Sequence, residues 1–291
     1  PDSGNRGGTL RVVCNGIPLS EFAVTVRTTT AVANGRAGLA YAGIPVSKTL
    51  TESSYICGLR QNSTDRSNIA LQNAGTQGDL VLRVSVYSGD PANPVTQDLP
   101  DVTLGPGGFS QISGVLQSNG LALTNGFVRI SIVSGSSPYY AYGVINDQFN
   151  SDGSFIPPLL ESSILNHLGQ TVPVIVETGV FNSELVLTNL SASVANTYHF
   201  SYVSNAIQTA DHTANFDITL QPRQQVLLAD FVQYLRNHAV AGIPAAGGTV
   251  VGALFVSGDT SSLFRGARTA TPGGGGRYGL FYVAIPNGLT S

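Results

Sequence analysis

The chain has 291 residues, enough for two domains that each bury a core. Charged residues are 11% of it, the formal net charge is −3 and Lys48 is the only lysine; an average globular protein carries about 25% charged residues. With no basic run this balance argues against nucleic acid and anionic membranes as partners, and 42% hydrophobic content in alternating patterns excludes wholesale disorder.

Taken in order, Pro1–Gly8 is rich in Gly, Ser and Asn and reads as a flexible arm. Leu10, Val12 and Cys14 alternate with Arg11 and Val13, which predicts a strand with one buried face. Phe22–Arg27, carrying Phe22, Val24 and Val26, and Gly38–Ile44, carrying Leu39 and Tyr41, predict two more strands around the turn Ala33-Asn34-Gly35. Val46–Ser54 reads as a linker. Ile69 and Leu71, Val84 and Val86, and Val128, Ile130 and Ile132 then mark half-buried strands, separated by turns at Asp90–Pro94 and Gly105–Gly108. Ser162–Gly169 predicts a short helix with Ser162 as its N-cap. A second helix is expected over Val226–His238, where Leu227, Leu228, Phe231 and Leu235 share a face.

Internal repeats organise these elements. Arg27–Pro45 and Arg268–Pro286 agree without a gap at 10 of 19 positions. Ser67–Asn73 matches Ser183–Asn189 at a spacing of 116 residues, and the same spacing places Leu104 on Leu220 and Ile112 on Leu228. Two full units follow, at about Tyr55–Pro157 and Val172–Pro286; the tail of the first has diverged, keeping little beyond Ile156-Pro157. The first 45 residues hold the back third of a unit with no front third, so the chain is expected to begin in mid-unit. The expected fold class is all-β: tandem Ig-like or jelly-roll-type β-sandwiches with one or two short helices. The expected domains are a partial unit over 1–50, a first sandwich over 51–160 and a second over 161–291.

Candidate chemistry is sparse. Asp147, Asn150 and Asp152 form a weak calcium candidate, since an EF-hand register with Gly153 at its sixth position lacks both end ligands. No other metal site is expected: the four histidines, His167 among them, are scattered. Asp211-His212 lies near no nucleophile elbow. The glycines at 273–276 precede a strand, which fits a hairpin turn better than a phosphate loop. No catalytic residue and no cofactor is therefore expected. Cys14 and Cys57 either form one disulfide between the partial unit and the first sandwich or remain free thiols. Arg27 and Arg268, and Arg36 and Arg277, recur in the repeat and read as structural arginines, with recognition of an acidic ligand the sharper alternative. Asn73 and Asn189 also recur; Asn189 and Asn62 fit the glycosylation pattern, but a structural amide suits Asn189 better.

The stretches GLRQNSTDRSNIALQNAG, LGPGGFSQI, YAYGVINDQFNSDGSFIP and RTATPGGGGRYGLFYVAIP together resemble uncharacterised modules that recur in tandem in large secreted proteins of environmental bacteria. The resemblance implies tandem extracellular β-sandwiches and carries over no catalytic residue.

The chain contains no methionine and no signal peptide, which fits a processed, secreted protein with a neutral polar surface. The expected function is a structural subunit of an extracellular filament or surface layer rather than an enzyme, pairing head-to-tail with itself through the unpartnered strands of residues 1–45. The alternatives are a spacer or adhesive stalk, and a module binding surface glycans, for which Tyr139, Tyr140 and Tyr142 are the aromatic cluster available. No insertion into a membrane is expected, because no apolar run reaches the ~18 residues a helix needs.

Overall fold

A computed structural model of the chain describes residues 8–16, 18, 21–33, 35–164, 169–273 and 275–286. It is an all-β protein. Apart from Gly8, the arm expected over Pro1–Gly8 lies outside the described residues, as do His167, Asn34 and the middle of the Ser162–Gly169 segment.

The first unit comprises β3 (Ser54–Arg60), β4 (Asp65–Asn73), β5 (Leu80–Ser88), β6 (Thr96–Asp98), β7 (Val102–Leu104), β8 (Phe109–Ile112), β9 (Asn125–Ser134), β10 (Tyr139–Asp147), β11 (Gly153–Ile156) and β12 (Leu159–Leu160). These form two antiparallel sheets, β12-β3-β9-β5-β6 with β7 also on β5, and β11-β10-β4-β8. The second unit comprises β13 (Gln170–Glu177), β14 (Asn182–Asn189), β15 (Asn196–Val203), β16 (Thr213–Leu220), β17 (Gln225–Leu228), β18 (Val250–Ser257), β19 (Leu263–Gly273), β20 (Gly276–Val283) and β21 (Ile285–Pro286). Its sheets β21-β13-β18-β15-β16 and β20-β19-β14-β17 touch through a single pair, Glu177↔Asn182.

The hydrogen-bond register repeats between the units, at a spacing of 116 residues in β3, β4 and β8 and of 126 in β9 and β12. Tyr55 faces Leu159 as Thr171 faces Ile285, and Ile69 faces Ile112 as Leu185 faces Leu228. Even the irregularity in β3 between Ile56 and Leu59 recurs in β13 between Val172 and Ile175, a two-residue β-bulge in each unit. Ser67 Oγ accepts from the Arg60 N–H and Ser183 Oγ from the Val176 N–H, closing the same turn twice. One sequence equivalence shifts: the counterpart of Ile285-Pro286 is Leu159-Leu160, not Ile156-Pro157, because each pair forms the short edge strand on β3 or β13.

The N-terminal hairpin consists of β1 (Thr25–Val32) and β2 (Gly35–Ala42). Its strands lie closer to the turn than the sequence pattern indicates, because pairing runs up to Val32↔Gly35; Phe22 and Val24 fall outside them. Leu10, Val12 and Cys14 form no strand: the described residues 8–16 make no ladder, Leu10 and Val12 are exposed, and residues 8–12 run along a groove beside β2 and the first unit. The hairpin copies β19–β20 in register, with Thr28↔Leu39 matching Thr269↔Leu280 and Val32↔Gly35 matching Gly273↔Gly276.

The described part of the first expected helix, and the whole of the second, differ in extent from the pattern's reading. α1 spans Glu161–Ile164, so it starts one residue ahead of Ser162. α2 spans Phe231–Asn237, capped by Asp230, whose side chain accepts from the Gln233 N–H at 3.2 Å. Leu227 and Leu228, expected on that helix, belong to β17, because β14 offers them a ladder. Two cores form. One fills the first unit, with Ile56, Leu59, Ile69 and Val84 among its fully buried members; the other fills the second, around Leu185, Tyr198, Phe231 and Leu235. Val186, Phe264 and Phe281 of the second unit belong to the first core, so the units share packing across their join.

Candidate assembly interface

The join is built from the outward face of sheet β20-β19-β14-β17 against one end of the first sandwich. Val186, Phe264 and Phe281 supply its apolar part, each burial stabilising by roughly 1.5–3 kcal/mol. The bulge at Gly58 brings the chain close: a Cβ there would stand 3.3 Å from Val186 Cγ1 and 3.5 Å from Phe281 Cε2. Gln225 satisfies the backbone groups the bulge leaves over. Its Oε1 accepts from the Gly58 N–H at 2.7 Å, and its Nε2 donates to Gly126 O at 2.8 Å and Asn125 Oδ1 at 2.6 Å. Asn125 Nδ2 returns a bond to Gln225 O at 2.8 Å.

Charged pairs finish the join. Asp65, 1% exposed, accepts from Arg268 Nη1 at 3.2 Å and from Arg277 Nη2 at 2.6 Å. Burial lowers the pKa of the Arg268 guanidinium, and the Asp65 carboxylate opposes that shift. Arg60 pairs with Glu184 beside them, both buried. Arg268 and Arg277 thus both bind Asp65 at the join. Their hairpin copies differ: Arg27 and Arg36 stand exposed on β1 and β2.

The calcium candidate has another use. Asp147 Oδ1 accepts from the Phe149 and Asn150 N–H groups and its Oδ2 from the Arg277 N–H at 2.8 Å. Asn150 Nδ2 donates to Gly273 O and Arg277 O, and the Asp152 carboxylate accepts from Gly279 and Gly38. The oxygens a cation needs are committed to backbone donors of the loop itself and of two hairpins, so this loop is a clasp. Among the described residues no group of three or more His, Cys, Asp or Glu side chains is placed to hold a metal. Gly273 and Gly276 pair at the end of the β19–β20 ladder, and a Cβ on Gly276 would lie 2.1 Å from Asp147 Oδ1.

Both cysteines are free, which overturns the disulfide. Cys57 is sealed in the first core, and burial raises its thiol pKa. Cys14 lies half-buried in the irregular N-terminal segment. Asn73 and Asn189 are fully buried and close matching loops, Asn73 Nδ2 on Gly78 O and Leu104 O, Asn189 Nδ2 on Val194 O and Leu220 O. His212 Nδ1 lies 3.0 Å from Ile207 O, and His199 pairs with Asp217 on the surface.

The surface that sequence reasoning missed is the outward face of β11-β10-β4-β8. Strand register makes Tyr140, Tyr142, Phe155, Phe109 and Ala70 the counterparts of Phe264, Gly266, Phe281, Gln225 and Val186. In the second unit this face is covered by the first. In the first unit the N-terminal hairpin covers part of it: Leu39 packs on Gly153, and Tyr41 meets Tyr142 and Phe155 edge-on at 5.7 and 5.9 Å. A groove of about 800 Å³ remains, walled by residues that include Tyr41, Gln72, Phe109, Tyr140, Tyr142 and Phe155. Burial raises the Tyr140 hydroxyl pKa to about 12, and Tyr139 turns inward to bond Ser54 Oγ at 2.9 Å. The signal available was the 116-residue alignment itself, which sets Phe109 on Gln225.

The fold and join define a protein of tandem, face-to-end packed β-sandwich units. No protein family and no curated protein matches the chain. No helix among the described residues is long and apolar enough to cross a membrane.

Proposed function

We propose that this chain is a self-associating structural protein of the cell exterior, whose units stack within a chain and between chains. The observation that carries this reading is the half-open face of the first unit. Its counterpart in the second unit is a covered interface, so the fold already contains a worked contact between such a face and the end of another sandwich. The secreted setting rests on the near-absence of lysine and the neutral polar composition. The means of association proposed here differs from the strand donation expected from the sequence. β1 and β2 pair with each other, so stacking of units, rather than donation of single strands, would join copies.

Sedimentation velocity over a wide concentration range, with electron microscopy of the concentrated sample, tests the reading. Concentration-dependent linear assemblies are expected. A monomer at every concentration would overturn it in favour of a second reading, a spacer in which the polar, buried join between units sets a fixed separation.

A further inference from the structure

We infer that the groove on the first unit is the seat for the free end of the second unit of another copy, and that the N-terminal hairpin is a placeholder which this end displaces. The inference rests on the self-association proposed above and names its two surfaces.

The first support is positional. In the join, β11 of the first unit packs on β20: Ser154 Oγ bonds Gly279 O at 3.2 Å. At the groove, Leu39, the counterpart of Ser154 and Leu280, packs on Gly153, the counterpart of Gly279. The tip of the hairpin, Thr30–Ala33, lies beside Phe149–Ser151, as the 147–152 loop lies beside Gly273 and Arg277. The hairpin therefore stands where the corresponding hairpin of a preceding unit would stand. It fills that place weakly. β1 is exposed along nearly its whole length, and isolated two-stranded hairpins are marginally stable.

The second support is chemical. The free end of the second unit exposes Val174, Val180, Phe181, Val251 and Leu280, between 42% and 63%. Four of these are counterparts of residues in the join: Val174 of Gly58, Phe181 of Asp65, Val251 of Asn125 and Leu280 of Ser154. The seat changes in step. The ion pair Asp65–Arg268 of the join has the counterparts Phe181 and Val144, both apolar. The hydrogen-bonded pair Asn125–Gln225 has the counterparts Val251 and Phe109, also both apolar. A polar contact inside the chain thus becomes an apolar one when the two free ends are set together. Complementary exchange at both positions of two pairs fits a second copy of this chain better than an unrelated partner.

Sedimentation velocity of full-length variants tests this. Val251→Glu disables the free end and Phe109→Glu the seat; each is expected to be a folded monomer by circular dichroism at concentrations where the parent chain assembles. Mixed one to one, they should form a dimer and stop there, because one intact seat and one intact end remain between them. Leu39→Asp, which loosens the hairpin, should lower the concentration at which assembly begins. Assembly undiminished in either single variant, or a mixture that stays monomeric, would overturn these two surfaces while leaving self-association standing. A parent chain that never assembles, with Leu39→Asp equally monomeric, would overturn self-association itself.

Discussion

Gly38 and Gly279 donate their backbone N–H groups to the two oxygens of one carboxylate, at 3.2 Å to Asp152 Oδ1 and 2.8 Å to Asp152 Oδ2. The two glycines occupy the same place in the repeated sequence, opposite Thr29 in one hairpin and Ala270 in the other. One loop of the first unit therefore grips both terminal hairpins.

Removing that grip has a measurable effect. Hydrogen bonds to a charged group contribute ~1.5–3 kcal/mol each, so Asp152→Ala, which removes two, should destabilise the protein by about 3–6 kcal/mol. Limited proteolysis should cut the N-terminal hairpin faster in this variant, and an unchanged cleavage rate would count against the clasp.

Asp65 neutralises a guanidinium that is itself 2% exposed. Asp65→Asn leaves Arg268 with no ionised partner and should cost about 3–5 kcal/mol, the usual penalty for halving a buried pair. Replacing both partners by apolar residues, Asp65→Leu with Arg268→Met, should recover much of the loss. Urea midpoints of the single and double variants give the coupling directly.

The thiols should differ sharply in reactivity. A thiol reagent is expected to label Cys14 in the native protein and Cys57 only after denaturation, since Cys57 is fully buried. A mass lower by two hydrogens, or a peptide joining the two cysteines, would contradict the free-thiol state.

Acid should weaken one surface tie in a predictable direction. The hydrogen bond from the Arg129 guanidinium, 2.8 Å from Glu161 Oε2, holds the Glu161 carboxyl below the usual carboxylate range. Its folded pKa lies under the unfolded value of about 4.3. The contribution is thus complete above that pH and disappears as pH falls through the folded value. Glu161→Gln should lower the Tm near neutrality and flatten its acid limb between about pH 5 and 3; parallel curves for parent and variant would refute the assignment.

Sequence pattern alone reached the all-β class and the 116-residue repeat, because register, bulge and turn serine are properties of single units and each is written locally. Contacts between units were not legible. Val186, Phe264 and Phe281 look like ordinary strand residues, and Gln225 gives no sign that it serves a bulge in another unit. The acidic loop at 147–152 misled for a related reason. Carboxylates gathered to accept backbone N–H groups read in sequence like carboxylates gathered for a cation. Alternation at Leu10–Cys14 misled differently, since a strand needs a hydrogen-bonded ladder and that segment joins none.

The groove and the exposed apolar end lie on different units of one chain, and neither surface matches itself. If they meet, each chain has a valence of two: one donor site and one acceptor site. Such a unit adds to a row without branching, and every row keeps one growing end of each kind. Length would then be set by stoichiometry, because a variant with one surface disabled acts as a chain terminator at a fixed end.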